Sequence, residues 1–542
     1  MKKGFFFVLC FFSCLVWGES VVLPVSTNTN FGAYLAGRLA QRNKDLNKTS
    51  YYYTKALNQD PDNIRLLSSL YLFKTMTGDF NDIVPLLTHL KGSDTVGGIH
   101  LFSNVALAAK KGDFSTALQT IPQKENEDTL MYLIRAWLYA GLHDKEMAFR
   151  SLDILKKLST QDLYPYHAGL LALYFQETET ADKHFQSLKS LQGISGLGLN
   201  LIRSFYQQRN SWNTGNPLFK QWHLALSRSP LEYAIIEESS DATLSVTPVI
   251  GLAEAFFEGA VALNMYAAYE QALILNALAL YLNESDFYKL FGGIVFEKIQ
   301  AYTQANGLYD RMRVRPFDLQ IQQQVNLIHS GQLQEAEKGL KKLYAKDPYH
   351  PVVLLLLAEI YRDTNRPEIA LPFYTHLFNV LPANTSKSEL ALAYLSRSKT
   401  YDILEKKELM EQDLQKVLKL IPNHPIALND LGYSWLEQNK NIDAALTLIQ
   451  KAAEATPDDP YILDSLAFGY YKKQDYAKAL TYAEKVADAL PGNALVNAHL
   501  GDIYAALGRK RESRFQYKKA LDLKQGLTPT LKQELQQKLR AS

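Results

Sequence analysis

A step of 34 residues recurs along the second half of the chain and constrains its fold more than any other feature. The step separates alanines and also prolines, and each proline follows an alanine by twelve residues. The paired positions are Ala336 with Ala370, Ala445 with Ala479, Pro348 with Pro382, and Pro457 with Pro491. A period of this size indicates stacked pairs of helices, none of which buries its apolar side alone. We therefore expect an all-α protein whose units share a continuous core.

The unit at residues 351–384 shows how each helical pair is specified. Apolar residues recur at intervals of three and four in both of its helices, as amphipathic helices require. Ala358 and Ala370 are small where the two helices must approach each other closely. Pro382 lacks a backbone donor, so it ends the second helix and begins the turn to the next unit.

The order of small residue, aromatic residue, alanine, aromatic residue and proline resembles the tetratricopeptide repeat. The match covers nearly the whole chain after its first residues and is strongest near the C-terminus. Equivalent positions there are Leu431-Gly432, Leu466-Ala467 and Leu500-Gly501, followed by Tyr470 and Tyr504. The resemblance implies an α-solenoid, a right-handed superhelix of helix-turn-helix repeats.

A break in the array and a final helix set the bounds of the expected domains. Residues 237–248 lose helical periodicity and end at a proline. Near the end, Thr528 precedes a proline and an apolar stripe, which predicts a final helix that covers the last unit. The expected domains are a signal peptide at 1–18, a degenerate N-terminal array at 30–236, a linker at 237–250, a C-terminal array at 251–527 and a capping helix at 528–542.

The first residues predict export. Lys2 and Lys3 precede the apolar run Gly4–Trp17, and small residues follow it, which is the order of a secretory signal. The run is shorter than the about 20 residues that a bilayer span needs. We expect cleavage after Gly18 or Ser20 and a periplasmic location, with an uncleaved anchor helix as an alternative.

Both cysteines, Cys10 and Cys14, lie inside this segment. A lipid anchor at Cys14 would make the protein an outer-membrane-associated lipoprotein. Phe11 and Phe12 fit the lipoprotein pattern badly, so we favour simple cleavage. The remaining chain has no cysteine for a disulfide, a thiolate metal site or a nucleophile.

Charge and motifs exclude several function classes. Loss of Lys2 and Lys3 brings the formal net charge from +2 to zero, and no long basic run offers a nucleic-acid footprint. No other apolar stretch of about 18 uncharged residues predicts a further membrane span. The sequence contains neither His-Glu-x-x-His nor a phosphate-binding Gly-x4-Gly-Lys-Ser/Thr loop. We expect no catalysis, no cofactor and no metal.

Proteins of this kind usually bind partners in the groove lined by the first helix of each pair. Helical spacing points six residues of the last three units toward that groove, namely Asn429, Tyr433, Asp464, Phe468, Tyr471 and Asp502. Aromatic residues beside acids suit a peptide with apolar anchors and basic groups. The alternative is that these residues are ordinary solvated or neighbour-packing positions. A clamp for a C-terminal carboxylate is disfavoured because Asp464 would repel it.

The C-terminal runs Leu428–Leu480 and His499–Leu521 resemble those of exported, many-repeat tetratricopeptide proteins of Gram-negative bacteria. That group includes a lipoprotein adaptor that binds a carboxyl-terminal processing protease and presents cell-wall hydrolases to it. The resemblance implies a non-catalytic periplasmic scaffold or adaptor for envelope proteins or peptides, with a protease as one partner. The alternatives are a structural subunit of an envelope assembly or polysaccharide-export complex, and an enzyme without a recognisable motif.

Overall fold

The computed structural model contains two compact units. We call the described residues up to Gly339 the N-terminal unit and those from Leu340 the C-terminal unit. The described residues are 30–90, 99–121, 129–156, 162–191, 194–226, 231, 235, 245–523 and 525–541. The predicted signal peptide with Cys10 and Cys14 lies outside them, as does most of the predicted linker at 237–250.

The all-α prediction is confirmed, since the described residues form 29 α-helices and no strand. The N-terminal unit contains α1 (Asn30–Arg42), α2 (Leu46–Leu57), α3 (Ile64–Thr77), α4 (Phe80–His89), α5 (Ile99–Lys110), α6 (Phe114–Gln119), α7 (Thr129–Gly141), α8 (Lys145–Asp153), α9 (Leu163–Tyr174), α10 (Thr178–Gln186), α11 (Gly196–Gln208), α12 (Pro217–Leu226), α13 (Pro248–Met265), α14 (Tyr269–Leu282), α15 (Asp286–Lys298), α16 (Tyr302–Asp310) and α17 (Phe317–His329). The division between the units lies within α18 (Leu333–Lys346). The C-terminal unit contains α19 (Pro351–Asp363), α20 (Pro367–Val380), α21 (Lys387–Ile403), α22 (Lys407–Leu420), α23 (Pro425–Glu437), α24 (Ile442–Ala455), α25 (Pro460–Lys472), α26 (Tyr476–Ala489), α27 (Ala494–Ala506), α28 (Lys510–Asp522) and α29 (Pro529–Ala541).

Local sequence fixes where the paired helices begin and end. Prolines occupy the first turn of α19, α23 and α25, where a missing backbone donor costs nothing. Before α25, Asp459 Oδ1 accepts a hydrogen bond from the backbone nitrogen of Tyr461 at 2.9 Å. The turn after α3 places Gly78 at a φ of 81°, and the turn after α5 places Gly112 at 80°. This left-handed backbone reverses the chain between paired helices and favours glycine.

The N-terminal unit contains one large core that joins helices from both sides of the predicted linker. Helix α13 packs on α7, and α14 packs on α3 and α5. The buried apolar cluster extends along the chain from Leu46 to Leu319. The compact unit therefore continues past 237–250, where we expected the boundary between the two arrays, and ends near residue 339.

Helix α13 is the one helix, within the described ranges, that is long and apolar enough to cross a membrane. Half of it is buried inside the unit, and its Glu254 is fully buried between neighbouring helices. The sequence had led us to expect no further span. The packing of α13 on α7 and α14 accounts for its apolar surface as that of a core helix.

The last helix of the C-terminal unit, α29, packs on the final helical pair. Its start is stabilised by Thr528, whose Oγ1 accepts a hydrogen bond from the backbone nitrogen of Leu531 at 3.1 Å. Leu535 is fully buried in a cluster with Tyr517 and Ala520, and Leu531 and Leu539 pack against that cluster. Without α29 this apolar surface would face water.

We expect deletion of residues 529–542 to lower the free energy of unfolding of the C-terminal unit by about 3 kcal/mol, because the contacts of Leu535 and its neighbours are lost. Urea unfolding, with hydrogen exchange of α27 and α28, measures the loss. The control is Arg540→Ala, which changes an exposed residue of the same helix. Equal unfolding midpoints for the deletion and the control would refute the covering role.

Candidate partner-binding groove

The first helices of consecutive pairs form a continuous surface in the C-terminal unit. Helix α23 contacts α25, and α25 contacts α27, in addition to their contacts with their own paired helices. We call the surface formed by α21, α23, α25 and α27 the first-helix face. It presents neighbouring side chains from several repeats, which is how an extended partner is bound by a solenoid.

Four aromatic side chains from three helices lie next to one another on this face. The rings of Tyr433 and Phe468 are 5.6 Å apart between centroids, and Phe468 stacks on His499 at 4.6 Å with an interplanar angle of 16°. Tyr471 lies 6.3 Å from Phe468. We call these four residues the aromatic row. Tyr433, Phe468 and Tyr471 are partly exposed, so the row offers apolar contact area to a ligand.

His499, the buried member of this row, pairs with the buried Asp464. His499 Nδ1 is 2.9 Å from Asp464 Oδ2, and both side chains are buried. Burial opposes protonation of His499, but the carboxylate of Asp464, with Asp502 behind it, outweighs burial and raises the pKa of His499. The other oxygen, Asp464 Oδ1, is buried and has no hydrogen-bond partner among the described residues.

Asp502 and Asn429 are less available to a partner than the sequence suggested. Asp502 accepts hydrogen bonds from Tyr517 Oη at 2.6 Å and from Lys538 Nζ at 2.7 and 2.8 Å. Lys538 belongs to the final helix, so Asp502 serves the packing of that helix. Asn429 is buried and donates through Nδ2 to Asp430 Oδ1 at 3.2 Å.

A cavity of about 110 Å³ lies where α21, α22 and α23 meet, and Tyr433 forms part of its wall. Lys407 Nζ bridges Asp402 at 2.8 Å and Glu437 at 3.0 Å on this wall. Asp430 also lines the cavity, and burial raises its pKa to about 6. The cavity thus combines carboxyl groups with one edge of the aromatic row.

Sequence reasoning missed His499, Asp430 and Lys538. His499 lies one repeat after Asp464, at a step of 35 residues, and this step was a usable signal for the contact. Lys538 could not be placed without knowing how the last helix docks. Within the described part of the chain, no three His, Cys, Asp or Glu side chains are grouped so as to hold a metal ion.

Two family models match the chain, and both are described as tetratricopeptide repeats. One matches residues 411–460, and the other matches residues 391–424 and 494–526. All of these matches lie in the C-terminal unit. They include α23, α27 and most of α21, whereas nearly all of α25 lies between the matched ranges. They confirm the repeat type that the spacing of alanines and prolines had indicated.

Two curated proteins match shorter parts of the chain. The TPR repeat-containing protein PA4667 of Pseudomonas aeruginosa is 30% identical over 184 residues, which cover 34% of this chain and 30% of that protein. Bacteriophage adsorption protein A of Escherichia coli is 28% identical over 131 residues, which cover 24% of this chain and 12% of that protein. The chain therefore spans less than a third of the length of either relative.

Solved structures also match. The crystal structure of a tetratricopeptide repeat protein from Parabacteroides merdae is 20% identical, with a TM-score of 0.38, and the match covers 48% of this chain and all of that one. The Cut9-Hcn1 hetero-tetramer structure is 14% identical, with a TM-score of 0.39, covering 94% of this chain and 96% of that one. The fold assignment rests on this chain's own helices and on the repeat models.

Proposed function

Because the chain is a tetratricopeptide-repeat protein, we propose that it is a non-catalytic scaffold that holds protein or peptide partners on the first-helix face. Tetratricopeptide-repeat proteins generally mediate protein–protein interactions. The observation that carries the proposal is the aromatic row, in which Tyr433, Phe468 and Tyr471 remain partly exposed beside buried carboxyl groups. Exposed aromatic anchors next to polar groups are typical of interaction hot spots.

The chemistry of this face favours a peptide with apolar and basic side chains. Apolar groups of the partner would pack on Phe468 and Tyr433, and a basic group would pair with Asp430 or Glu437 in the cavity. At about 110 Å³ the cavity is smaller than the about 300 Å³ or more of small-molecule pockets, so it suits the end of one side chain. Asp464 Oδ1, which has no partner in the described part of the chain, offers an acceptor to a donor group.

We place this scaffold in the periplasm, and we propose that it serves as an adaptor for an envelope protease and its substrates. The support is the secretory order of the first residues and the resemblance of the last repeats to exported adaptors. A fusion of residues 1–30 to alkaline phosphatase, with Cys14→Ser as its pair, tests export and lipidation together. Equal activity of both fusions without fatty-acid labelling indicates export without lipidation, and the size of the fusion then distinguishes cleavage from an uncleaved anchor helix. No activity of either fusion would contradict the periplasmic location.

Photocrosslinking in living cells tests the binding face directly. A photoreactive residue is placed at Tyr433 or at Phe468, and as controls at the exposed Lys451 and Lys485 on the second helices. We expect both face positions to capture the same protein, with a yield that falls severalfold when Asp464→Ala removes the buried carboxylate beneath the aromatic row. The control positions should not capture it, because they lie on the opposite helices of each pair.

Either of two outcomes would contradict this function. Capture of the same proteins from Lys451 as from Phe468 would show that the first-helix face has no special role. Absence of any crosslinked protein from both face positions would show that the aromatic row is a packing feature between repeats. Recovery of an envelope protease among the captured proteins would support the adaptor role.

A further inference from the structure

Helix α28 carries a cationic surface that the groove does not use. Arg511, Arg514, Phe515 and Lys518 are spaced by three and four residues and therefore share one side of the helix. All four are exposed, and Phe515 is 65% exposed. The opposite side holds Tyr517, which is buried and fixes the orientation of the helix. We call these four residues the basic face.

The positive charge of this face is not neutralised by the protein. The nearby Glu512 is paired with Arg509 at 2.9 Å. Among the described residues, none of Arg511, Arg514 and Lys518 forms an ion pair with a carboxylate. Asp522, one turn beyond Lys518, is a single negative charge at the end of the face. A net positive field therefore extends outward around an exposed phenylalanine.

The size and shape of this face favour a membrane surface over a protein partner. The eight helical residues from Arg511 to Lys518 span only about 11 Å, whereas a stable protein interface needs about 800 Å² on each side. A convex helix surface needs no shape-matched groove to meet a lipid bilayer. Cationic side chains near anionic headgroups each contribute to binding, and an aromatic ring adds to it by entering the interface.

We propose that the basic face of α28 docks reversibly on an anionic lipid bilayer. Arg511, Arg514 and Lys518 contact lipid phosphates, and Phe515 enters the headgroup region between them. The docking is independent of the groove, because these side chains lie on the second helix of the last pair. It would hold the first-helix face near a membrane without a lipid anchor.

Vesicle sedimentation with the whole protein, purified from the cell envelope, tests the proposal. The probes are phosphatidylcholine vesicles with and without phosphatidylglycerol. We expect binding to the anionic vesicles only, weakened by salt. Replacing Arg511, Arg514 and Lys518 together by serine should reduce binding about 100-fold, and Phe515→Ser should reduce it about tenfold.

The matched control replaces Arg65, Lys338 and Lys342 by serine, which removes three exposed cations elsewhere. It should bind like the unmodified protein. The variant that carries both Arg511→Lys and Arg514→Lys keeps the positive charge and should bind like the unmodified protein. Equal binding by the triple-serine variant of the basic face and by the triple-serine control would overturn the proposal. Binding of soluble polyglutamate to the basic face, with no binding of the protein to anionic vesicles, would also overturn the proposal. It would indicate an acidic protein partner.

Discussion

Replacement of Glu254 by alanine is expected to lower the free energy of unfolding of the N-terminal unit by about 4 kcal/mol. Glu254 is fully buried on α13 and accepts hydrogen bonds from three hydroxyl groups. Ser195 Oγ donates at 2.6 Å, and the hydroxyls of Tyr166 and Tyr288 donate as well. The variant would leave all three donors buried without an acceptor. These donors come from the start of α11 and from α9 and α15, so the loss would loosen the packing of four helices.

Glu258, one turn along the same helix, provides the matched comparison. Its Oε1 is buried and has no hydrogen-bond partner within the described ranges. Burial, together with the charge of Glu254, raises the pKa of Glu258 well above its usual value. Its ionised form therefore destabilises the fold, and this cost grows as the pH rises above about 4.5. We expect Glu258→Gln to raise the free energy of unfolding at neutral pH, and the gain should grow as the pH rises above about 4.5, because glutamine stays neutral at every pH.

Urea unfolding followed by tryptophan fluorescence measures both variants, since Trp137 and Trp222 are buried in this unit. Glu254→Gln should also destabilise, because an amide nitrogen cannot accept the hydroxyl hydrogen bonds that one of the carboxylate oxygens receives. Equal effects of substitutions at 254 and 258 would show that the three hydroxyls do not depend on the carboxylate.

The repeat type could be predicted from the sequence because it rests on local requirements. Ala445 is fully buried where two helices approach, and Gly432 lies opposite it, where an added Cβ would come 2.8 Å from the Ala445 carbonyl oxygen. Such contacts are made within one repeat, so they recur with the period. The extent of the N-terminal unit depends on contacts between distant repeats. One sequence signal for these distant contacts was the segment of α14. It is apolar on nearly all sides and therefore has to be covered by neighbouring helices on each of them.

In the candidate groove, too, the sequence predicted which residues share a surface but not which side chains pair between helices. Helical spacing brought Tyr433, Phe468 and Tyr471 to one surface, and the structure places their rings side by side. Spacing alone did not show that His499 would pair with Asp464 or that Lys538 would form an ion pair with Asp502. These contacts join a side chain to one on another helix, and their strength depends on burial. Whether the six predicted residues bind a partner stays a prediction.

Two buried histidines give the units opposite responses to pH. His167 in the N-terminal unit accepts a hydrogen bond from Trp137 Nε1 at 3.0 Å, and burial lowers its pKa to about 3. Its unfolded form takes up a proton near pH 6.5, so folding stability is lost as the pH falls. His499 in the C-terminal unit has a raised pKa, so the stability it contributes is present at low pH and is lost as the pH rises through that value.

We therefore expect wild-type protein to lose about 1.4 kcal/mol of N-terminal stability through His167 for each pH unit below about 6.5, until the pH approaches 3. His167→Gln should be less stable than wild type at neutral pH, because the glutamine side chain differs in shape from the imidazole ring and does not hold its oxygen where Nδ1 accepts from Trp137. The difference should shrink and reverse on acidification. His499→Gln should show the opposite trend in the C-terminal unit, with its largest loss below about pH 6.5. Urea unfolding across this pH range, with hydrogen exchange of α7 and α25 to separate the units, measures both differences. If the free energy of unfolding changed with pH in parallel for wild type and His167→Gln, the prediction would be wrong. His167 would then take up its proton at the same pH in the folded and unfolded chains.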